Sequence, residues 1–241
     1  MTNLKERTLA SIVTEQSQSV RVLEKYDLDF CCKGKRTLAE ACAEKGISIV
    51  NILEELQEAV VPGEKPRMPF AEMTAGQLIS HILIHHHFYV KQTMPTIYDH
   101  LEKVASKHGN RYPYMVKVFQ LFTAIREEMT LHMQKEELVL FPRITEVENL
   151  FNMHQKTKRS GGYINAPISI IENEHEHAGE LLFEIRRLTD NYHPPVDACT
   201  TFKLSLTELK EFEEDLHRHV HLENNLLFPK AKKMLSAIID G

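Results

Sequence analysis

The stretch "HMQKEELVLFP", His132 to Pro142, is followed later in the chain by "HVHLENNLLFP", His219 to Pro229. In each copy a histidine precedes a glutamate by four positions, which places both side chains on one face of a helix, about 6 Å apart. Apolar residues flank the two pairs at matching offsets, so this face is predicted to point toward a hydrophobic core. The repeat therefore predicts two inward-facing pairs, His132 with Glu136 and His219 with Glu223.

Burial would make these two carboxylates costly. An unpaired carboxylate in the interior costs several kcal/mol even after the surroundings relax, so each needs a partner. A bound cation would satisfy both, and imidazole combined with carboxylate suits iron, manganese or zinc rather than calcium. A single His-x-x-x-Glu is more often part of a polar helix face, but two copies with matching apolar flanks favour a metal site.

The repeat also indicates where further ligands lie. His87 and His175 occur on the two preceding helices, and each has apolar neighbours at the same offsets. His86 remains an alternative to His87 if its helix is slightly rotated, and His177 is an alternative to His175 on a more polar face. Four histidines and two carboxylates exceed what one tetrahedral metal needs, so we expect two metals bridged by Glu136 and Glu223.

Composition excludes several classes of function. The 241 residues are 42% hydrophobic and carry a formal charge of −5 with no basic run, so a nucleic-acid role is not expected. Neither a signal sequence nor a stretch of about 20 apolar residues is present, which predicts a cytoplasmic protein that does not enter membranes. The cysteines form no C-x-x-C pair and are expected to be reduced.

Helical signals dominate the chain and predict an all-α fold. Residues 1–61 contain short amphipathic runs and are expected to form a small helical domain that carries Cys31 and Cys32. Residues 62–69 form a proline-rich linker. Residues 70–241 are expected to form a four-helix bundle, in which a capping box starts the first helix near Ala75 and Pro167 lies in the first turn of the third.

Four segments give the chain a family resemblance. They are "LDFCCKG" at Leu28–Gly34, the first copy of the repeat, "NEHEHAGELL" at Asn173–Leu182, and "HLENNLLFP" at His221–Pro229. The bundle resembles a hemerythrin-like domain. The chain as a whole resembles the repair of iron centres family, which comprises di-iron proteins that repair iron–sulfur clusters.

The resemblance implies a ligand set and a function. It assigns iron ligands to the six positions chosen above and adds a fifth histidine between the first two helices, for which His108 matches best and His100 is the competitor. It implies a non-haem centre of two irons that serves clusters damaged by nitrosative or oxidative stress, by iron donation, nitric oxide reduction or both. The implied partners are damaged iron–sulfur proteins and nitric oxide or oxygen, and a homodimer is compatible with the sequence.

Two other functions use similar residues. A hemerythrin-like sensor of oxygen or nitric oxide would need the same metal site without the repair chemistry. A ferritin-like oxidase or storage bundle would instead use the Glu-x-x-His pairs Glu172–His175 and Glu214–His217. It would also need carboxylates from the remaining helices, and the pair His132–Glu136 does not supply that pattern.

The adjacent cysteines suggest a second functional element. Neighbouring α-carbons lie about 3.8 Å apart, which is too close for an unstrained disulfide. Lys33 and Lys35 place positive charge beside Cys31 and Cys32, which favours thiolate. We therefore expect an exposed, reactive dithiol that approaches the metal site on its linker and passes electrons or iron. The alternative is two small buried hydrophobic residues.

Overall fold

A computed structural model describes residues 4–16, 18–59 and 70–239. The proline-rich linker at 62–69 lies outside these residues, and the division of the chain at that linker stays a prediction. The described part of the chain is helical and contains no strand beyond two isolated bridges, which confirms the predicted all-α class. No helix in these ranges is both long and apolar enough to cross a bilayer.

Four short helices form the N-terminal unit, which we define as the described residues from 4 to 59. They are α1 (Leu9–Glu15), α2 (Ser19–Lys25), α3 (Leu38–Lys45) and α4 (Ile49–Ala59). Thr37 and Glu40 form a capping box that starts α3, and Gly46 ends it in the left-handed conformation with φ of 65°. The local signals of the sequence thus fix the ends of α3.

Four long helices follow and form the bundle, residues 70–239. The first starts at the predicted capping box of Thr74 and Gln77. Three of the four contain a short π-helical segment. In chain order the first long helix is α5 (Ala75–His81), π1 (Ile82–His87) and α6 (Phe88–His108); the second is α7 (Pro113–Lys135), π2 (Glu136–Leu140) and α8 (Phe141–Asn152); the third is α9 (Gly162–Leu188); the fourth is α10 (Thr200–Leu222), π3 (Glu223–Leu227) and α11 (Phe228–Ile238).

The repeated Phe-Pro explains two of the π segments. Proline lacks the N–H that would bond to the carbonyl four residues earlier, and its ring crowds that carbonyl. For Pro142 and Pro229 these carbonyls belong to Leu138 and Asn225, which lie inside π2 and π3. The wider π turn accommodates the conflict. The helices therefore continue through the prolines, to Asn152 and Ile238.

Pro167 does not lie in the first turn of its helix, which corrects the sequence prediction. The helix α9 begins at Gly162, five residues before the proline. Proline at this depth leaves the carbonyl of Tyr163 without its helical donor. Arg143 Nη1 donates to that carbonyl at 2.9 Å, so a side chain from α8 replaces the missing backbone bond.

The N-terminal unit packs directly on the bundle. Phe30 is 1% exposed and meets the rings of His217 and His221 edge to face, with centroids 6.1 and 5.7 Å apart. Asn225 Nδ2 donates to the carbonyls of Phe30 and Cys31 at 3.3 and 3.0 Å. One hydrophobic cluster contains buried residues of both parts. The unit is therefore docked against α10 and π3, which corrects the picture of a freely tethered module.

Phe30 provides a test of this docking. We expect Phe30→Ala to lower the free energy of unfolding of the metal-free protein by about 3–5 kcal/mol, because the ring fills a closed site between the two parts. Phe88→Ala is the matched control, since that ring is 62% exposed, and should cost less than about 0.5 kcal/mol. Urea unfolding measures both, and equal values would contradict the packing described here.

Candidate metal centre

Six predicted ligands converge in the middle of the bundle. Each of the four long helices contributes a histidine, and the two π segments that precede the prolines each begin with a glutamate. All six side chains are at most 1% exposed. They are His87, His132, Glu136, His175, His219 and Glu223.

The four histidines form two pairs. His87 Nε2 lies 3.2 Å from His219 Nε2, and His132 Nε2 lies 3.1 Å from His175 Nε2. Two nitrogens at this separation can aim their lone pairs at one ion. The pairing therefore defines two positions, which we call the first position (between His87 and His219) and the second position (between His132 and His175).

Each carboxylate reaches both positions. Glu136 Oε2 lies 3.3 Å from His87 Nε2 and 3.2 Å from His132 Nε2. Glu223 approaches His219 with Oε1 at 3.1 Å and His175 with Oε2 at 3.2 Å. The donors consequently divide into two groups of four that share both glutamates, with the ligand atoms of each group within 4.8 Å of one another.

The two shared carboxylates lie in a place where they need a positive charge to stabilise them. The four oxygens of Glu136 and Glu223 are buried and have no hydrogen-bond partner among the described residues, although imidazole nitrogens lie close by. Two such carboxylates side by side repel each other and have lost their hydration. Cations between them and the imidazoles would satisfy all four oxygens, so the residues fit metal ions.

Protonation equilibria point in the same direction. Burial disfavours a charged His132, but Glu136, Glu174 and Glu223 outweigh it and raise the pKa of this imidazole to about 10. Burial and Glu223 act to raise the pKa of Glu136, yet the attraction of His132 outweighs them and the pKa is lowered. A positive charge is thus favoured at His132, whereas burial outweighs the nearby carboxylates at His219 and lowers the pKa of that imidazole.

Three of the four histidines have a hydrogen-bond partner on the outer ring nitrogen. Nδ1 of His87 lies 2.7 Å from Glu137 Oε1, Nδ1 of His132 lies 3.0 Å from Glu174 Oε2, and Nδ1 of His175 lies 3.0 Å from Asn224 Oδ1. Such partners fix the tautomer and orient the ring toward the metal. No sequence pattern predicted these three partners, although each is a direct neighbour in sequence of a candidate ligand.

The alternatives to two of the histidines lie outside the cluster. His86 is buried but belongs to neither group of ligands, and its Nδ1 faces Asp215 Oδ1 at 3.0 Å. His177 is exposed and lies near Glu128, at 3.3 Å. The structure therefore places His87 and His175, rather than their neighbours, among the converging donors.

The structure does not bring His108 to the centre. His108 ends α6, and 21 helical residues after His87 correspond to about 30 Å along the axis. Its Nε2 instead lies 3.4 Å from Cys199 Sγ. The competitor His100 is about 20 Å along the same helix and contacts Glu208 at 2.8 Å. The prediction of a fifth histidine ligand is therefore corrected: neither His108 nor His100 can reach the other predicted ligands.

The Glu-x-x-His pairs do not form a ferritin-like site. Glu172 Oε1 lies 3.2 Å from Lys232 Nζ, and Glu214 Oε1 lies 4.0 Å from Lys210 Nζ. These four side chains are partly exposed, so both glutamates face outward. The carboxylates that a ferritin-like oxidase would need are thus directed away from the converging histidines.

The cysteine pair differs from the expected exposed thiolate. Cys31 is buried, Cys32 is half-buried, and their sulfurs lie 3.8 Å apart. Cys31 Sγ also donates to Asp29 Oδ1 at 3.1 Å. The contact with Cys32, burial and the nearby Asp29 raise the pKa of the Cys31 thiol well above its ordinary value. Cys31 is consequently a buried thiol, and the lysines beside the pair in sequence do not determine its charge.

Comparison with known proteins agrees with this architecture. Residues 78–231 match the hemerythrin HHE cation binding domain, and residues 5–60 match a domain of unknown function, DUF542. The chain is 34% identical over 228 residues to the "Iron-sulfur cluster repair protein YtfE" of Enterobacter sp. (strain 638), which covers 94% of this chain and 97% of that protein.

Relatives from other bacteria show the same similarity. The protein of that name from Escherichia coli O81 (strain ED1a) is also 34% identical over 94% of this chain and 97% of its own length. The one from Citrobacter koseri is 34% identical over 95% of this chain and 98% of its own. The extent of these matches shows that the chain belongs to the family of hemerythrin-like iron–sulfur cluster repair proteins.

Proposed function

We propose that this protein binds two irons and repairs iron–sulfur clusters damaged by nitrosative or oxidative stress. One observation carries the proposal: six buried donors divide into two groups of four that share Glu136 and Glu223. The names of the family relatives support the repair role. Iron in this cluster would be available for donation to a damaged cluster or for reduction of nitric oxide.

The donor set suits ions that must be released again. Its ligands are imidazoles and carboxylates, with no thiolate in either group. Metal binding by such ligands competes with protons, because each imidazole must be neutral to coordinate. Glu137 and Glu174 connect the centre with the surface, since each contacts a buried histidine and a half-exposed lysine, Lys91 and Lys135 respectively. Glu137 and Glu174 therefore provide carboxylates that an iron ion could contact as it leaves the bundle.

We further propose that Cys31 and Cys32 take part in repair as a relay for iron. Together with Asp29 they form a group of three donors whose ligand atoms lie within 4.8 Å of one another. Asn225 holds the carbonyl of Cys31 and follows Glu223 by two residues in π3. The relay would therefore act from a docked position beside the centre.

Metal analysis tests the shared carboxylates. After anaerobic loading with ferrous iron, we expect two irons per chain. Glu136→Ala and Glu223→Ala should each lower the affinity for both ions, because each carboxylate contacts both histidine pairs. Glu180→Ala is the matched control on an exposed surface and should retain two irons. A wild-type ratio of one, or full loading of both bridging variants, would contradict the di-iron proposal.

A repair assay tests the function. We expect the ferrous protein to restore activity to an enzyme whose iron–sulfur cluster has been damaged, with a matching loss of iron from this protein, if donation operates. Catalytic formation of nitrous oxide and water from nitric oxide, with an external electron donor supplied to re-reduce the irons after each turnover, would instead identify reduction. The Glu136→Ala protein serves as the control without a complete centre. Iron loading without either activity would contradict repair and favour a sensor.

Alkylation tests the state of the cysteines. Because the thiolate is the nucleophile, iodoacetamide at neutral pH should modify the exposed Cys199 first and leave Cys31 largely unmodified in the native protein. Peptide mass spectrometry over a time course measures each rate. Modification of Cys31 as fast as Cys199 would restore the hypothesis of an exposed thiolate and contradict the buried thiol.

A further inference from the structure

The centre has an approximate twofold symmetry that extends to the hydrogen-bond partners of the histidines. His132 and Glu136 recur 87 positions later as His219 and Glu223, and His87 recurs 88 positions later as His175. One kind of partner follows the same symmetry. Glu137, which follows Glu136, contacts His87; Asn224, which follows Glu223, contacts His175.

A second kind of partner is present on one side only. Glu174, which precedes His175, contacts Nδ1 of His132 at 3.0 Å. The equivalent position, before His87, holds His86, and the histidine it would support is His219. Nδ1 of His219 is buried and has no hydrogen-bond partner in the ranges that the structure describes.

The side chain of His86 explains the missing bond. Its ring stacks on His219, with centroids 5.6 Å apart and planes at 9°, so it presents a face to the buried imidazole. Its Nδ1 is directed at Asp215, whose two oxygens lie 3.0 and 3.1 Å away. The second position therefore has two supported histidines, and the first position has one.

We infer that the iron at the first position, between His87 and His219, is held more weakly and is the ion that leaves first. The inference rests on the proposed di-iron function and assigns the donated ion to one of its two positions. Loss of an outer-shell partner typically lowers metal affinity about 10–100-fold, because the ring is less well oriented and less basic. We expect the two ions to differ by a factor in this range.

Release to a chelator tests the asymmetry without any repair assay. Full-length protein loaded with two ferrous ions is mixed anaerobically with excess ferrozine, and the coloured complex is followed. We expect two phases of equal amplitude, with rates that differ about 10–100-fold. A crystal of the half-depleted protein should show the remaining iron between His132 and His175 by anomalous scattering.

Two variants test whether the hydrogen-bond partners cause the difference in release rate, one by removing a partner at the second position and one by adding a partner at the first. Glu174→Ala removes the partner of His132 and should accelerate the slow phase toward the fast one. The double variant His86→Glu, Asp215→Asn places a carboxylate at the position equivalent to Glu174, where it can support His219. It should slow the fast phase. Asp215→Asn alone is the control, because it changes the partner of His86 without adding a carboxylate beside His219. It should not slow the fast phase.

The outcomes separate this inference from the proposed function. Binding of only one iron would overturn the di-iron proposal itself. Two irons that leave in one phase, or an iron that remains between His87 and His219 after half-depletion, would overturn the asymmetry alone. An unchanged slow phase in Glu174→Ala would also overturn it, because that variant removes the support on which the difference depends.

Discussion

The fold depends on the contact of two buried carboxylates with four imidazoles. Glu136 and Glu223 lie side by side without hydration, and each touches a histidine from both pairs. Charge of this kind in a protein interior destabilises the fold unless it is closely compensated. The compensation requires all four long helices at one depth, since each supplies one of the imidazoles. The bundle and the centre are therefore one structure, and the hydrophobic core surrounds a polar cluster that must be complete.

The π segments carry the two glutamates and the residues that follow them. Successive side chains of π3 reach different partners: Glu223 faces the histidines, Asn224 contacts His175, and Asn225 contacts the N-terminal unit. The proline after each repeated Phe favours the wider turn by removing a helical donor. The repeated Leu-Phe-Pro thus contributes backbone geometry, while the histidine and glutamate contribute the chemistry.

The sequence predicted the features that depend on local pattern. The convergence of six candidate ligands followed from a doubled motif with matching apolar flanks, and the helix start at Thr74 followed from a capping box. His108 could not be placed correctly, because resemblance in a connecting segment does not measure distance along a helix. Cys31 was misjudged because neighbouring lysines are visible in the sequence, whereas burial and the contact with Asp29 arise only after folding. The π turns have no reliable sequence signature beyond the prolines.

Docking of the N-terminal unit links the cysteines to the candidate metal ligands through a short stretch of backbone. Asn225 donates to the carbonyls of Phe30 and Cys31, and it lies two positions after Glu223 in the chain. His221 continues the contact, because its ring packs on Phe30 and its Nδ1 lies 3.3 Å from Asn225 Nδ2. His221 and Asn225 each lie two positions from Glu223, so the N-terminal unit packs on the same stretch of helix that supplies this buried carboxylate. The position of the N-terminal unit is in this way a part of the geometry of the centre.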